Sequence, residues 1–302
     1  MNRKKRMDTN DILNSFKKLA INTQEYTVTM HHCQDTKFVI LSRENVGFGK
    51  EKIIKAIEKS WPIYVSLFGN KVSSAGICDF KAPIGGGPLG EPFLIGLYST
   101  NDISTEVQRF IKSVTGWEEH SSTFEYLNTY YAEYGNPIEA YIDDVVFHEL
   151  GHLFFGFGVT HTDFENISES WFPLGLGITY DRIIWQKYYT GYGPIISSMV
   201  NLWREIYSKN KNIDQKLINP NISNDKEFGL DRLQVYSHGK SFCFLNKLRE
   251  VIGYEIFDKI VNCLIQENSS LHLTYQKFRT SIDSDQTLKK LLDKTEQEYE
   301  IK

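Results

Sequence analysis

The amino-acid sequence predicts an α+β fold, with a mixed β-sheet in an N-terminal lobe and helices in a C-terminal lobe. Two observations predict it. Alternating apolar patterns are confined to the chain before about residue 100, whereas helical spacing dominates from about residue 136. Strands first and helices later is the α+β order, not the strict alternation of a doubly wound sheet. The expected organisation is a flexible tail at 1–20, a sheet-bearing lobe at 21–135 and a helical lobe at 136–302.

Glu25–Met30 and Lys37–Ser42 alternate as strands, with a turn at Gln34-Asp35 between them. Lys50–Phe68 places Ile53, Ile54, Ile57 and Trp61 at near-helical spacing, and Pro62 is expected to end or kink that helix. Val72–Phe80 and Pro92–Ser99 read as further strands. They flank a glycine-rich turn, Gly85-Gly86-Gly87-Pro88-Leu89-Gly90, and Thr105–Thr115 follows as a short helix. Pro137–Phe155 is a long helix, apolar nearly all round and therefore expected to be buried. Further helices are expected at roughly 171–189, 194–208, 229–251, 254–267 and 274–300, with Asn210–Asn224 as the long polar loop.

Composition narrows the function. The 302 residues are 41% hydrophobic and 24% charged, in the range of a soluble globular protein, with room for a sizeable core. A net charge of -4 argues against nucleic acid as the partner, because phosphate binding needs a concentrated basic face. The basic run Arg3-Lys4-Lys5-Arg6 is followed by no apolar stretch, so no signal peptide is expected, and no segment has the length of a membrane span. Cys33, Cys78, Cys243 and Cys263 are scattered, with no CxxC pair, and read as reduced thiols of a cytoplasmic protein. The oligomeric state is not legible.

The chemistry centres on Phe147–Gly158, FHELGHLFFGFG. Residues four apart share a helix face, so His148 and His152 can turn both imidazoles to one ion. Zinc accepts neutral imidazole nitrogen, and Glu149, next along the helix, is placed to act as general base for a water. The opposing reading is two core histidines bonded to carbonyls. It would leave two imidazoles and a carboxylate in an apolar helix without a compensating cation, at a heavy desolvation cost. A catalytic zinc usually takes three protein ligands. The downstream candidates are His161, Asp163, Glu165 and Glu169; the metzincin spacing fails, because Phe155 and Gly158 stand where it needs glycine and histidine. Glu169, at the start of the next helix, is favoured on the geometry of an antiparallel helix pair over His161 or Asp163.

These residues resemble the M1 aminopeptidase family. His148-Glu149-Leu150-Gly151-His152-Leu153-Phe154-Phe155-Gly156 is similar to that family's HELAHQWFG, Ile167-Ser168-Glu169-Ser170-Trp171-Phe172 to its LNEGFA, and Tyr236-Ser237-His238-Gly239 to its YxKG. The resemblance spans roughly residues 60–265, the catalytic domain alone. It implies a thermolysin-like gluzincin fold and one zinc ion held by His148, His152 and Glu169. It also implies Glu149 as general base, Tyr236 as oxyanion donor and a peptide substrate. Sixteen residues separate His152 from Glu169, two fewer than in the family, and Pro173 follows four residues on. His238 replaces the family's lysine. Gly85 to Glu91 is similar to the family's GxMEN turn, which implies substrate binding by Gly86 and Gly87 and capture of a free α-amine by Glu91; an ordinary turn between strands is the other reading.

Other motifs lead nowhere. Gly85, Gly87 and Gly90 satisfy GxGxxG, but a strand rather than a helix follows, which excludes a dinucleotide site. Gly239-Lys240-Ser241 lacks the first glycine of a phosphate loop, since Gln234 stands there. His31-His32 puts two rings on opposite faces of a strand, and the tyrosines from Tyr126 to Tyr134 read as core and cleft wall. The expectation is a zinc-dependent peptidase, exo- or endo-acting. Its rivals are a non-peptidase zinc hydrolase on the same scaffold and a silent zinc-bound interaction module.

Overall fold

The computed structural model describes residues 8–43, 48–81, 85–89, 93–99, 137–162, 167–188, 240–267 and 272–301. The expected helices at 105–115 and 194–208, the loop 210–224 and the tyrosines from Tyr126 to Tyr134 lie outside them.

Thr9–Lys18, expected within a flexible tail, forms helix α1 instead. Asp8 and Asp11 cap it reciprocally, each carboxylate accepting from the other's backbone N–H at 2.8 and 3.0 Å. Its Ile12 and Phe16, one turn apart, are buried against Val39, Leu41, Cys78 and Leu94 on one face of the sheet. That burial is what turns a polar-looking segment into structure.

Strands β1 (Thr27–Cys33), β2 (Thr36–Ser42), β3 (Ser74–Lys81), β4 (Gly85–Pro88) and β5 (Leu94–Ser99) form one sheet in the order β1-β2-β3-β5-β4. The outer pairs β1/β2 and β4/β5 are antiparallel, and β2/β3 and β3/β5 are parallel. Helix α2 (Lys50–Phe68) is the crossover from β2 to β3. Pro62 neither ends nor splits it into two elements: the helix continues six residues further, to Phe68. The glycine-rich segment is a strand, not a turn. Gly85–Pro88 pairs with Tyr98–Ile95, and its place at the sheet edge tolerates glycine and a terminal proline.

The second half is helical: α3 (Pro137–His152), α4 (Ile167–Tyr188), α5 (Ser241–Ile252), α6 (Tyr254–Glu267), α7 (Tyr275–Ile282) and α8 (Gln286–Glu298). The single helix expected at 274–300 is two, because Asp285 caps a new start by accepting from the N–H groups of Thr287 and Leu288. Of the helix expected at 229–251, residues 229–239 lie outside the described residues. None of the described helices is long and apolar enough to cross a membrane.

The two lobes share a hydrophobic core. Phe38, Ile40, Ile77 and Leu97 of the sheet, Trp61, Tyr64 and Phe68 of α2, Phe147, Leu150 and Phe154 of α3, and Tyr180 and Trp185 of α4 are all buried in it. Phe154 sits 5.4 Å from both Trp61 and Phe68 and 5.7 Å from Tyr64, ring centre to ring centre. This aromatic cluster fixes the end of α3, and with it the residues one turn earlier.

Candidate metal centre

Helix α3 puts His148 and His152 on one face, and their Nε2 atoms lie 3.2 Å apart. Two zinc–nitrogen bonds of 2.0–2.1 Å at a tetrahedral angle place their nitrogens about 3.3 Å apart, so the pair is set at the zinc spacing. The other ring nitrogens face acceptors: His148 Nδ1 is 2.9 Å from Asp181 Oδ2 on α4, and His152 Nδ1 is 3.4 Å from the Phe155 carbonyl. In the tautomers in which each Nδ1–H donates to its acceptor, Asp181 or the Phe155 carbonyl, each Nε2 keeps its lone pair, directed at the same point. Two lone pairs that close repel unless a cation lies between them.

Electrostatics say the same. Burial lowers His148 to about 4 and His152 to about 3, which keeps both imidazoles neutral and ligand-ready. Burial also pushes the carboxyls of Glu149 and Asp181 well above the usual range, Asp181 itself adding to the rise at Glu149 and Arg182 opposing the rise at Asp181. Glu149 Oε2 is buried and lacks a hydrogen-bond partner among the described residues. The pocket is short of positive charge, and a divalent cation supplies it. His148, Glu149 and His152 offer three ligand atoms within 4.8 Å of one another, the one such group among the described residues. The donor set fits zinc.

Behind His148 the helices are tied by charge. Arg182 of α4 donates to Asp144 of α3 and lies 3.6 Å from Asp181 Oδ1. On the other side Tyr64 donates to the Phe147 carbonyl at 2.8 Å. Gly151 makes room for that hydroxyl, since a Cβ there would stand 2.8 Å from it. Gly86 of β4 lies against Glu149 so closely that a Cβ would overlap its carboxylate. Edge strand β4 thus runs past the general-base candidate, and Gly87 beside it has open space at its Cα.

Of the other expected site residues, Glu169 and His161 are described. Glu169 is in the first turn of α4, outside the His148–Glu149–His152 group, with Oε2 4.0 Å from His272 Nδ1. Pro173 sits inside the same helix and removes the hydrogen bond that the Glu169 carbonyl would otherwise accept. His161 pairs through its backbone with the segment at His272, Leu273 N–H donating to its carbonyl at 3.0 Å. Glu91, Asp163, Glu165 and Tyr236 lie outside the described residues. The sequence reading missed Asp181, Arg182 and Tyr64, whose roles come from helices that meet only in the fold.

Neither a protein-family model nor a curated protein matches the chain. Solved structures do. An M1 zinc metallopeptidase from Deinococcus radiodurans superposes with a TM-score of 0.52 at 12% identity, over 89% of this chain and 51% of that one. Leukotriene A4 hydrolase from Saccharomyces cerevisiae superposes with a TM-score of 0.54 at 14% identity, over 88% of this chain and 37% of that one. The fold is that of the M1 zinc metallopeptidases. The chain spans about half, or less, of the length of these M1-fold proteins. A variant of the Deinococcus enzyme, with a TM-score of 0.50 and 11% identity, is bound to a Tyr-Ser-Ala substrate.

Proposed function

We propose that the chain is a zinc-dependent peptidase. The observation that carries this is the convergence of two neutral imidazoles at zinc spacing beside a buried glutamate carboxylate whose Oε2 has no hydrogen-bond partner among the described residues. The M1 fold supports it, and so does the Tyr-Ser-Ala substrate held by a protein of that fold. His148 and His152 would hold the ion; when bound, it supplies a Lewis acid for the scissile carbonyl and lowers the pKa of a water. Glu149 takes the proton of the attacking water and delivers it to the leaving amine. Asp181 holds the His148 ring in the tautomer that offers Nε2.

Substrate lies along β4. An edge strand offers main-chain hydrogen-bonding groups to an extended peptide, and Gly86 and Gly87 leave the approach clear of side chains. Glu91 would capture a free α-amine, which makes the enzyme aminopeptidase-like; without that contact it is a dedicated peptide-processing endopeptidase. Tyr236 is carried over from the YxKG resemblance as the oxyanion donor. None of the four cysteines forms a disulfide and three of them are buried, which fits a reducing, cytoplasmic setting.

The test replaces the general base. Glu149→Gln should keep stoichiometric zinc and lose turnover of aminoacyl reporters and blocked peptides by about a thousandfold or more, within the range that general-base and metal-site losses span. A Glu149→Gln protein as active as the wild type would sink the assignment. A second reading, a non-peptidase zinc hydrolase, draws on the superposition with leukotriene A4 hydrolase. Turnover of a non-peptide electrophile with no cleavage of either peptide class would establish it.

A further inference from the structure

Helix α4 crosses α3 at two glycines: a Cβ on Gly151 would stand 3.7 Å from the Cα of Gly177. Gly177 faces the candidate ion site. A Cβ built on it lies 3.7 Å from His152 Cε1 and 3.8 Å from His148 Cε1, in ordinary contact with both rings at once. One turn further along α4, Asp181 bonds the back of His148. The face of α4 turned to the histidines therefore presents a carboxylate at Asp181, already engaged with Nδ1, and no side chain at Gly177.

Besides Asp181, α4 has one ligand-type residue, Glu169. It precedes Gly177 by eight residues, about 12 Å along a helix axis and roughly 80° round it. That is further than a glutamate side chain reaches, and its carboxylate lies beside His272 instead. Pro173 between the two positions belongs to the same continuous helix, so the separation is set by the element itself.

We infer that α4 supplies no ligand to the metal: the residue that faces the ion from that helix is Gly177, and among the described residues no side chain takes the position it leaves open to an exchangeable ligand. This rests on the proposed zinc site and changes its character. Two imidazoles from α3 hold the ion and Glu149 stands beside it, while a coordination place that a side chain commonly closes stays open on the α4 side. Such a site binds zinc less tightly than one with three protein donors. It also leaves more room for a substrate group to enter the coordination shell.

The experiment is zinc affinity of the full chain, measured by competition with a chromophoric chelator, which needs no turnover. Glu169→Gln should change the dissociation constant less than threefold; a loss of threefold or more would show that Glu169 is a ligand and overturn the inference. Gly177→Asp should tighten zinc binding at least tenfold, and Gly177→Asn should not. An aspartate variant that folds and binds no more tightly than the wild type also overturns it. If Gly177→Asp does not fold, the Glu169→Gln measurement decides alone. His148→Ala and His152→Ala separate the two levels: if they bind zinc as the wild type does, the site itself is misplaced, whatever Gly177 does.

Discussion

At the scale of single residues, Gly86 shows how tightly the site is assembled. A methyl group at its Cα would occupy the space of the Glu149 carboxylate, which is buried where α3 meets β4. Gly86→Ala should therefore displace the carboxylate without touching either histidine. The expected result is a fall in kcat of about tenfold or more, of the order seen when a catalytic group is misplaced, with zinc content unchanged. Equal losses of zinc and activity would instead mean that the strand, not the carboxylate, had moved. The pairing of His148 with His152 was legible in the sequence because helical periodicity puts residues four apart on one face, and Glu149 because it adjoins the first of them in the motif. Asp181 was not, because its partner is 33 residues away and nothing local marks it. The motif points to Glu169, and motif spacing says nothing of how far along α4 the crossing with α3 falls.

At the scale of elements, β3 and the start of α2 are joined by one buried carboxylate. Asp79 accepts from the N–H groups of Phe48 at 2.9 Å and Gly49 at 2.8 Å, one on each oxygen, and so satisfies donors at the helix entry. Burial holds its carboxyl up at about 6 against an ordinary 3.8, the two amide bonds only partly offsetting it. The folded state thus binds this proton more tightly than the unfolded chain. The contribution is complete below about pH 4 and is lost as pH rises through about 6, a loss of about 3 kcal/mol at most. Urea denaturation at pH 4.5 and 6.5 should show Asp79→Asn with the shallower fall in stability across that interval. A variant whose pH dependence matches the wild type would remove Asp79 as the cause. The strands and most described helices followed from periodicity. The glycine segment did not, because glycine and proline are depleted in strands and only pairing with β5 makes Gly85–Pro88 one.

At the scale of the whole molecule, the site and the core are one construction. Helix α3 is buried against α2, α4 and β4, and the rings around Phe154 that hold its C-terminal end belong to the core shared with the sheet. The order of strands and helices was legible from pattern alone; the core shared by the two lobes was not, since periodicity shows which face of an element is buried and not against what. That shared core has a thermodynamic consequence. An ion bound only by the folded state stabilises everything that unfolds with its ligands, by RT ln(1 + [zinc]/Kd), about 2.7 kcal/mol at a free zinc concentration 100 times Kd. For a cooperative unit of this size that corresponds to a rise in Tm of about 4 °C. Calorimetry should show a single transition that chelator lowers by about that amount, while His148→Ala melts at the same temperature with and without chelator. If chelator shifted only one of two resolved transitions, α3 would be coupled to part of the molecule rather than to the whole core.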